Sequence, residues 1–255
     1  MKNICFFITI LLTIITTLAA ADELEMLKSK ADKYWQHRDI QETLLKCIDT
    51  YEKALSLSPK DELILSRLSI AHFWKGNNMS DGMWYRKQRM KAYETGREYA
   101  AKLCEFNPES IEGNFWHATN DAAYIDEVIV KTSKSVIDDA KRRNAFVMTH
   151  DQFYYHGGPQ RLGAKIILGI PDFVRAEDES LQIAEKYLKD AISNYPNFTL
   201  SHIFLSDLYM KLGQKDLAQK TLKHVLTIDE NSVPQFAPEN RRDKNEASLR
   251  LKNNF

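Results

Sequence analysis

Along residues 198–231, FTLSHIFLSDLYMKLGQKDLAQKTLKHVLTIDEN, apolar and small residues recur at helical spacing in two blocks separated by Gly213. Leu205, Ser206 and Tyr209 mark the first block, and Ala218, Leu222 and Val225 the second. The pattern predicts two antiparallel helices joined by a short turn. Ser206 and Ala218 are small enough for the two axes to approach closely, while Tyr209 and Leu222 fill the space beside them. Gly213 sits where the first helix must stop and accepts the left-handed conformation that such a stop requires.

The same offsets return upstream. Residues 44–59 supply a second-helix half with Cys47, Tyr51, Ala54, Leu57 and a terminating Pro59. Leu68, Ser69, His72 and Gly76 begin the next unit, whose second half, Gly96 to Pro108, comes late and predicts an inserted stretch around Asn77–Lys91. A third unit begins near Ile111, with His117 and Ala118 in the paired slots. A fourth begins at Pro159, which suits the first helical position because its missing N–H would be unpaired there in any case. Leu162, Gly163 and Ile166 follow, and its second helix, with Leu181, Ala184, Leu188, Ala191 and Pro196, is displaced by an insertion across Gly169–Glu177. A recurring unit of about 34 residues is the signature of tetratricopeptide-type helical hairpins. The predicted fold is all-α: a right-handed superhelix of about five hairpins, at 24–59, 62–108, 110–149, 158–196 and 198–230, in one domain spanning 22–255. A helix from Pro238 to about Leu251 caps the stack, since an end repeat must hide its apolar face. An irregular helical bundle is the rival architecture, because only the last repeat follows its consensus closely.

Composition agrees with long helices: 9 glycines and 7 prolines in 255 residues are about half the usual share. Lys and Arg total 35, as do Asp and Glu, so no overall charge draws the chain to phosphate backbones, and nucleic acid is not an expected partner. At the N-terminus Lys2, an apolar run from Ile4 to Leu18 and the small residues Ala19–Ala21 have the form of a secretory signal, residues 1–21, cleaved before Asp22. The run is shorter than the roughly 20 residues that cross a bilayer; a retained anchor is the alternative. No cysteine follows the small residues to accept lipid. An exported protein without a stable membrane anchor is the expectation. Cys47 and Cys104 fall on separate helices and are expected to remain free thiols.

The first helix of each unit faces inward, so the repeat offsets nominate an inner wall. It comprises Leu63, Ser66, Ile70 and Phe73, then Glu112, Phe115, Thr119 and Ala122, then Gln160, Ala164 and Ile167, then Leu200, Ile203, Asp207 and Met210. These positions include no Lys or Arg, which suits an apolar ligand or segment better than a charged peptide tail. Phe73, Phe115, Trp116, Thr119, Ile167, Ile203 and Met210 are the candidate ligand-binding residues. The aromatics Trp74, Trp84, Tyr85, Trp116, Tyr154 and Tyr155 are candidates for the floor of such a space. The competing reading is that this wall is simply core.

Catalytic signals are weak. His150, Asp151 and His156 cluster in a turn-rich stretch whose spacing fixes no metal face. Nucleophile elbows, phosphate loops and dinucleotide fingerprints are absent from the sequence. Asp138 with Asp139, Asp126 with Glu127, and Lys141–Arg143 fall on solvated helix faces. We expect no enzymatic activity, no cofactor and no metal.

Three stretches exceed what repeat spacing explains: YYHGGPQRLGAKIILGIP at 154–171, GNFWHATNDAA at 113–123 and FAPENRRDKNEASLRL at 236–251. Together they resemble the T-component family of TRAP transporters, exported tetratricopeptide proteins that assist tripartite ATP-independent periplasmic transport. The resemblance runs from about Ala31 to Leu251. Its most specific element is the string carried by Gly157, Gly158, Pro159, Arg161 and Gly163, although Gly163 stands one place earlier than in the family pattern. The missing lipid-acceptor cysteine is a second departure, so a lipid anchor does not carry over. The resemblance implies a periplasmic location, an accessory role, a TRAP solute-binding protein as partner, an apolar small molecule as ligand, and self-association into small rings. A general interaction scaffold of the envelope, with no small ligand, is the alternative. In physical terms the Gly-Gly-Pro string makes a tight lead-in to a helix. Arg161 opposes the helix dipole there and must reach an acidic neighbour or a carbonyl, unless it serves as an anion clamp.

Overall fold

The computed structural model describes residues 20–80, 82–128, 134–170 and 180–255. The expected signal peptide lies outside the described residues except for positions 20 and 21, and most of the Gly169–Glu177 insertion lies outside them too. Eleven α-helices occur among the described residues: α1 (20–35), α2 (Gln41–Leu57), α3 (Glu62–Asn77), α4 (Arg86–Phe106), α5 (Ile111–Glu127), α6 (Lys134–His150), α7 (Tyr154–Gly169), α8 (Leu181–Asn194), α9 (Thr199–Lys211), α10 (Lys215–Thr227) and α11 (Ala237–Asn254). Short 3-10 turns at Met83–Tyr85 and Pro234–Phe236 precede α4 and α11. The fold is all-α, and consecutive helices pack pairwise as hairpins. The odd-numbered helices from α3 to α11 also touch one another in succession and form the inner layer, with the even-numbered helices outside.

Sequence accounts for each feature. α3 and α9 carry buried residues all round, as helices sandwiched between neighbours must. α8 and α10 bury one stripe, Ala184, Leu188 and Ala191 in α8 and Ala218, Leu222 and Val225 in α10. Gly213 adopts φ +73°, and Gln214 N–H returns to Tyr209 O at 2.8 Å to close the end of α9. Ser206 and Ala218 are both buried at the α9–α10 contact.

The junctions between hairpins repeat one another. Ser58, Asn107 and Tyr195 end α2, α4 and α8 at φ/ψ of −137/79, −132/84 and −135/67. Each precedes a proline, which denies it a helical backbone. Their N–H groups bond back to Ala54, Leu103 and Ala191 carbonyls at 3.1, 3.0 and 2.9 Å. Asp61 and Ser110 then cap α3 and α5, accepting from Ile64 N and Gly113 N at 3.0 Å each.

One apolar core runs from α1 to α7 through Trp35, Leu44, Tyr51, Leu68, Trp74 and Trp116. A second joins α7 to α10 through Ile167, Leu188, Leu205 and Leu208, and a third seats α11 on Ile203, Leu222 and Val225. Cys47 and Cys104 are free thiols. Burial pushes the Cys47 thiol up to about 12, leaving it unreactive. No helix among the described residues is long and apolar enough to cross a membrane.

The C-terminal segment does more than cap the last hairpin. It reaches the other end of the stack, where Glu239 of α11 accepts a fork from Arg38 in the α1–α2 turn. Arg38 is 1% and Glu239 2% exposed. Arg38 also donates to Gln235 O at 2.8 Å and Trp35 O at 3.0 Å, so its buried charge is fully engaged. Asp39 forms a second tie, a two-point pair with Arg241 at 2.8 and 2.9 Å. Breaking a buried pair from one side strands the remaining charge. Glu239→Ala should therefore lower unfolding free energy by about 3–5 kcal/mol, measured by urea unfolding, with an Arg38→Met/Glu239→Leu pair recovering much of the loss. A change below about 1 kcal/mol in the single variant would show the tie to be idle.

His72 of α3 is a second buried polar group, with neither ring nitrogen hydrogen-bonded and Glu52 Oε1 3.9 Å away. Burial, aided by Lys75, pulls its pKa down to about 4. The unfolded chain takes up a proton near pH 6.5 that the folded chain refuses until about 4. Stability should thus fall as pH drops between these values, by on the order of 2–3 kcal/mol from this residue. Unfolding titrations of His72→Phe should show a shallower pH slope in that window; an unchanged slope would contradict the assignment.

Candidate functional site

The inner face is not one open groove. The Pro234–Phe236 turn and α11 lie across it and divide it in two. Phe236 packs against Tyr155, His156 and Phe198 with ring centres 4.7, 4.6 and 5.1 Å apart. Beyond it, Asn240 Oδ1 accepts from Thr199 N at 3.2 Å, and the Thr199 hydroxyl, 2.8 Å from both Asn240 Oδ1 and Asp243 Oδ2, shares its one proton between them. These bonds fix α11 against the start of α9.

On the N-terminal side of this partition lies an open groove of about 540 Å³. Leu63, Ser66, Ile70 and Glu112 line it as the offsets predict, joined by Trp35, Arg67 and Tyr154. On the other side lies a second cleft of about 390 Å³, as open to solvent as the first, between α3, α5, α7, α9 and α11. Phe73, Trp74, Phe115, Trp116, Thr119, Leu200, Ile203 and Phe204 supply its apolar wall. The rings interlock: Phe73 and Trp116 centres are 5.6 Å apart, and Phe115 meets Trp116 edge-on at 5.1 Å. Thr119 Oγ1 is buried there without a hydrogen-bond partner.

Five of the seven nominated ligand residues, Phe73, Phe115, Trp116, Thr119 and Ile203, thus share this cavity. Ile167 and Met210 pack instead in the core joining α7, α8 and α9. The expected absence of cations from the inner surface does not hold. Arg161, Lys165, Arg242 and Arg250 line the cavity, facing Asp126, Glu239, Asp243 and Glu246. Most of these charges come from α11, which repeat offsets place at the end of the stack rather than over its inner face. Lys165 pairs with Asp126 at 2.8 Å, Arg242 with Asp243 at 2.7 Å and Arg250 with Glu246 at 2.5 Å. Arg242 also lies over the Trp74 ring at 4.7 Å. Trp84 and Tyr85 take no part, being 92% and 48% exposed on the α3–α4 connection.

The Gly-Gly-Pro string lies at a kink in the first turns of α7. Tyr155, His156 and Gly157 stand at φ 48, 53 and 77°, a left-handed run that costs two side-chain-bearing residues strain. Arg161 holds it. Its Nη2 donates to Tyr155 O at 2.5 Å, and its Nη1 donates to His156 O and to Ser201 Oγ. The guanidinium lies 4.2 Å from the Phe198 ring centre. Burial among these neutral groups pulls its pKa down to about 9. The partner anticipated for this arginine as an acid or a carbonyl is a pair of carbonyls. Gly158 is required by packing, since a Cβ there would lie 2.7 Å from Phe115. Tyr155 thereby aims its hydroxyl at Glu239, 2.5 Å away, and Tyr154 accepts from Trp116 Nε1 at 3.0 Å. The strained turn therefore orients both the partition and the aromatic wall.

The histidines of the turn-rich stretch serve separate contacts. His150 stacks on Phe146 at 4.1 Å, Asp151 accepts from Phe153 N at 3.0 Å, and His156 stacks on Tyr195 at 4.5 Å. A different set, His117, Asp121 and Asp139, has ligand atoms within 4.8 Å of one another. Residues of two helices meet there, so linear spacing gave no sign of it. Arg97 pairs with Asp121 at 3.2 Å, and Arg142 and Arg143 both pair with Asp139. Those guanidinium groups satisfy the carboxylates and oppose a further cation.

Residues 201–232 match the tetratricopeptide repeat family. The chain carries a tetratricopeptide repeat. Among solved structures it is similar to TTC0263, a thermophilic tetratricopeptide protein of Thermus thermophilus, with a TM-score of 0.57 and 15% identity over 90% of this chain and 99% of that one. It is also similar to PilW, a type IV pilus biogenesis factor, with a TM-score of 0.54 and 15% identity over 93% of this chain and 94% of that one. At this identity the likeness establishes the fold alone. No curated protein matches the chain by sequence.

If Arg161 is the clamp of the strained turn, Arg161→Met should cost about 2–4 kcal/mol through the two stranded carbonyls, read as a lower urea midpoint. Unchanged stability would remove the clamp.

Proposed function

We propose that this protein is a non-catalytic, exported accessory of a TRAP-type transport system, which holds a small apolar molecule under α11 and docks to an extracytoplasmic solute-binding protein. The observation that carries the ligand half is the 390 Å³ cavity with its interlocked aromatic wall, a size and lining suited to a small molecule. Its charges favour the same occupant. Asp126, Asp243 and Glu246 each have a basic partner on the cavity rim, and Glu239 is held by Arg38. A cation entering would have to displace a pair already made, whereas an apolar body only replaces water. The transport half rests on the resemblance of residues 154–171, 113–123 and 236–251 to the T-component family. In support, the described parts of these stretches lie together in the fold, as the strained turn, the aromatic wall and the partition.

A second reading, a protein-interaction scaffold without a small ligand, draws on the open groove lined by Trp35, Leu63, Ile70 and Tyr154 and on the repeat architecture itself, which displays extended surfaces.

The two readings separate at Thr119. Thr119→Trp fills the cavity and leaves the groove untouched. Titration with the environment-sensitive apolar dye bis-ANS should show at least a tenfold weaker affinity in the variant, about 1.4 kcal/mol, with thermal stability retained. Equal dye affinity in both proteins would place apolar binding elsewhere.

A further inference from the structure

Among the described residues, the most exposed large apolar side chains lie together, outside both the cavity and the groove. At the 3-10 turn before α4, Met83 is 79%, Trp84 92% and Tyr85 48% exposed. The other three tryptophans, Trp35, Trp74 and Trp116, are 6%, 1% and 2% exposed. A single fully presented indole beside an equally bare methionine departs from how large apolar residues are usually placed.

The tip is held rather than left loose. Arg89, 6% exposed, lies one turn into α4 and grips both sides of the connection, donating to Ser80 O and Gly82 O. The rest of its guanidinium forks onto Glu127 at the end of α5, at 2.5 and 2.7 Å. Arg86 donates to Glu127 O alongside. A partly buried ion pair thus fixes the geometry of an exposed aromatic tip.

Charge at the same place is one-sided. The sequence from Met83 to Lys91, MWYRKQRMK, contains Arg86, Lys87, Arg89 and Lys91 and no acid. The first turn of α4 has no acidic residue and its N-cap supplies no side-chain bond, so the positive end of the helix dipole adds to these cations. Carboxylates nearby are Glu94, which faces Lys91 at 2.9 Å, Glu98, which also acts on Lys91, Glu127, taken up by Arg89, and Asp126, paired with Lys165. Even with Asp81 counted from the sequence, residues 81–91 hold four basic side chains against one acidic one. The chain's overall neutrality conceals this local excess.

We infer that the Met83–Tyr85 tip, with Arg86, Lys87 and Lys91 around it, is a docking surface for an anionic lipid bilayer. Indole and phenol rings favour the headgroup boundary, where one edge meets acyl chain and the other meets water. Basic side chains beside them meet lipid phosphates, each adding about a fivefold gain in affinity near an anionic surface. The surface is small, so attachment is reversible and differs in kind from a membrane-spanning anchor. It goes beyond the transport reading: none of Met83, Trp84 and Tyr85 lines the ligand cavity, and either idea stands without the other.

The lone exposed tryptophan makes the test direct. Protein isolated from its host is mixed with vesicles of phosphatidylglycerol and phosphatidylethanolamine, or of phosphatidylcholine alone, and tryptophan emission and co-sedimentation are followed. Anionic vesicles should shift the emission to shorter wavelength, and brominated lipid should quench it. Trp84→Ala should abolish the shift and weaken co-sedimentation at least tenfold while far-ultraviolet circular dichroism stays the same. Lys87→Glu should weaken binding about fivefold or more with the indole retained, and raised salt should do likewise. Failure of the wild-type protein to bind anionic vesicles, or equal binding by Trp84→Ala, overturns the proposal. Failure of the first kind, together with a requirement for Trp84 in binding a purified protein partner, would assign the tip to a protein pocket instead.

Discussion

The Arg38–Glu239 pair sets the shape of the inner face. Two charges taken out of water are tolerated only where geometry and additional hydrogen bonds engage them fully, and here Trp35 O, Gln235 O and the Tyr155 hydroxyl complete the set. Because one partner sits in the first hairpin and the other in the last helix, satisfying the pair forces α11 to lie across the concave face. A stack of helical hairpins is otherwise a structure of nearest-neighbour contacts with separate ends. This contact makes the two ends of the stack depend on each other.

The partition, the aromatic wall and the left-handed turn are one mechanical unit. Arg161 spends its hydrogen bonds on the carbonyls of Tyr155 and His156, which keeps Tyr155 pointed at Glu239 and Tyr154 at Trp116. Gly158 leaves room for Phe115 to pack against the turn. A change at the turn is therefore felt in the cavity lining and in the seat of α11. The three stretches that stand out from repeat spacing in the sequence are the three that meet here.

Local pattern carried most of the architecture. Gly213, the small residues Ser206 and Ala218, and the prolines at 59, 108 and 196 each impose a backbone or packing condition within a few residues of themselves, and the hairpins follow from those conditions. What the pattern could not carry is contact at long range. Arg38 and Glu239 lie 201 residues apart, so no spacing rule joins them, and repeat offsets treated α11 as an end cap. For that reason the inner surface looked free of Arg242 and Arg250, which turn into it, while Arg161 and Lys165 of α7 line it from positions beside the inward offsets 160, 164 and 167. Ile167 and Met210 fit the inward offsets but are claimed by the α7–α8–α9 core. Trp84 reads in the sequence as an inward aromatic, yet it sits in the insertion between two repeat halves, where periodicity gives no direction.

The central claim is that the space lined by α3, α5, α7, α9 and α11 is a binding site and not a packing remnant. Native mass spectrometry of the protein, purified from its own host without detergent, tests it most directly. The account predicts a species heavier than the polypeptide by one small apolar molecule, released when Thr119→Trp fills the space. Repeated preparations that fly at the mass of the polypeptide alone would contradict it.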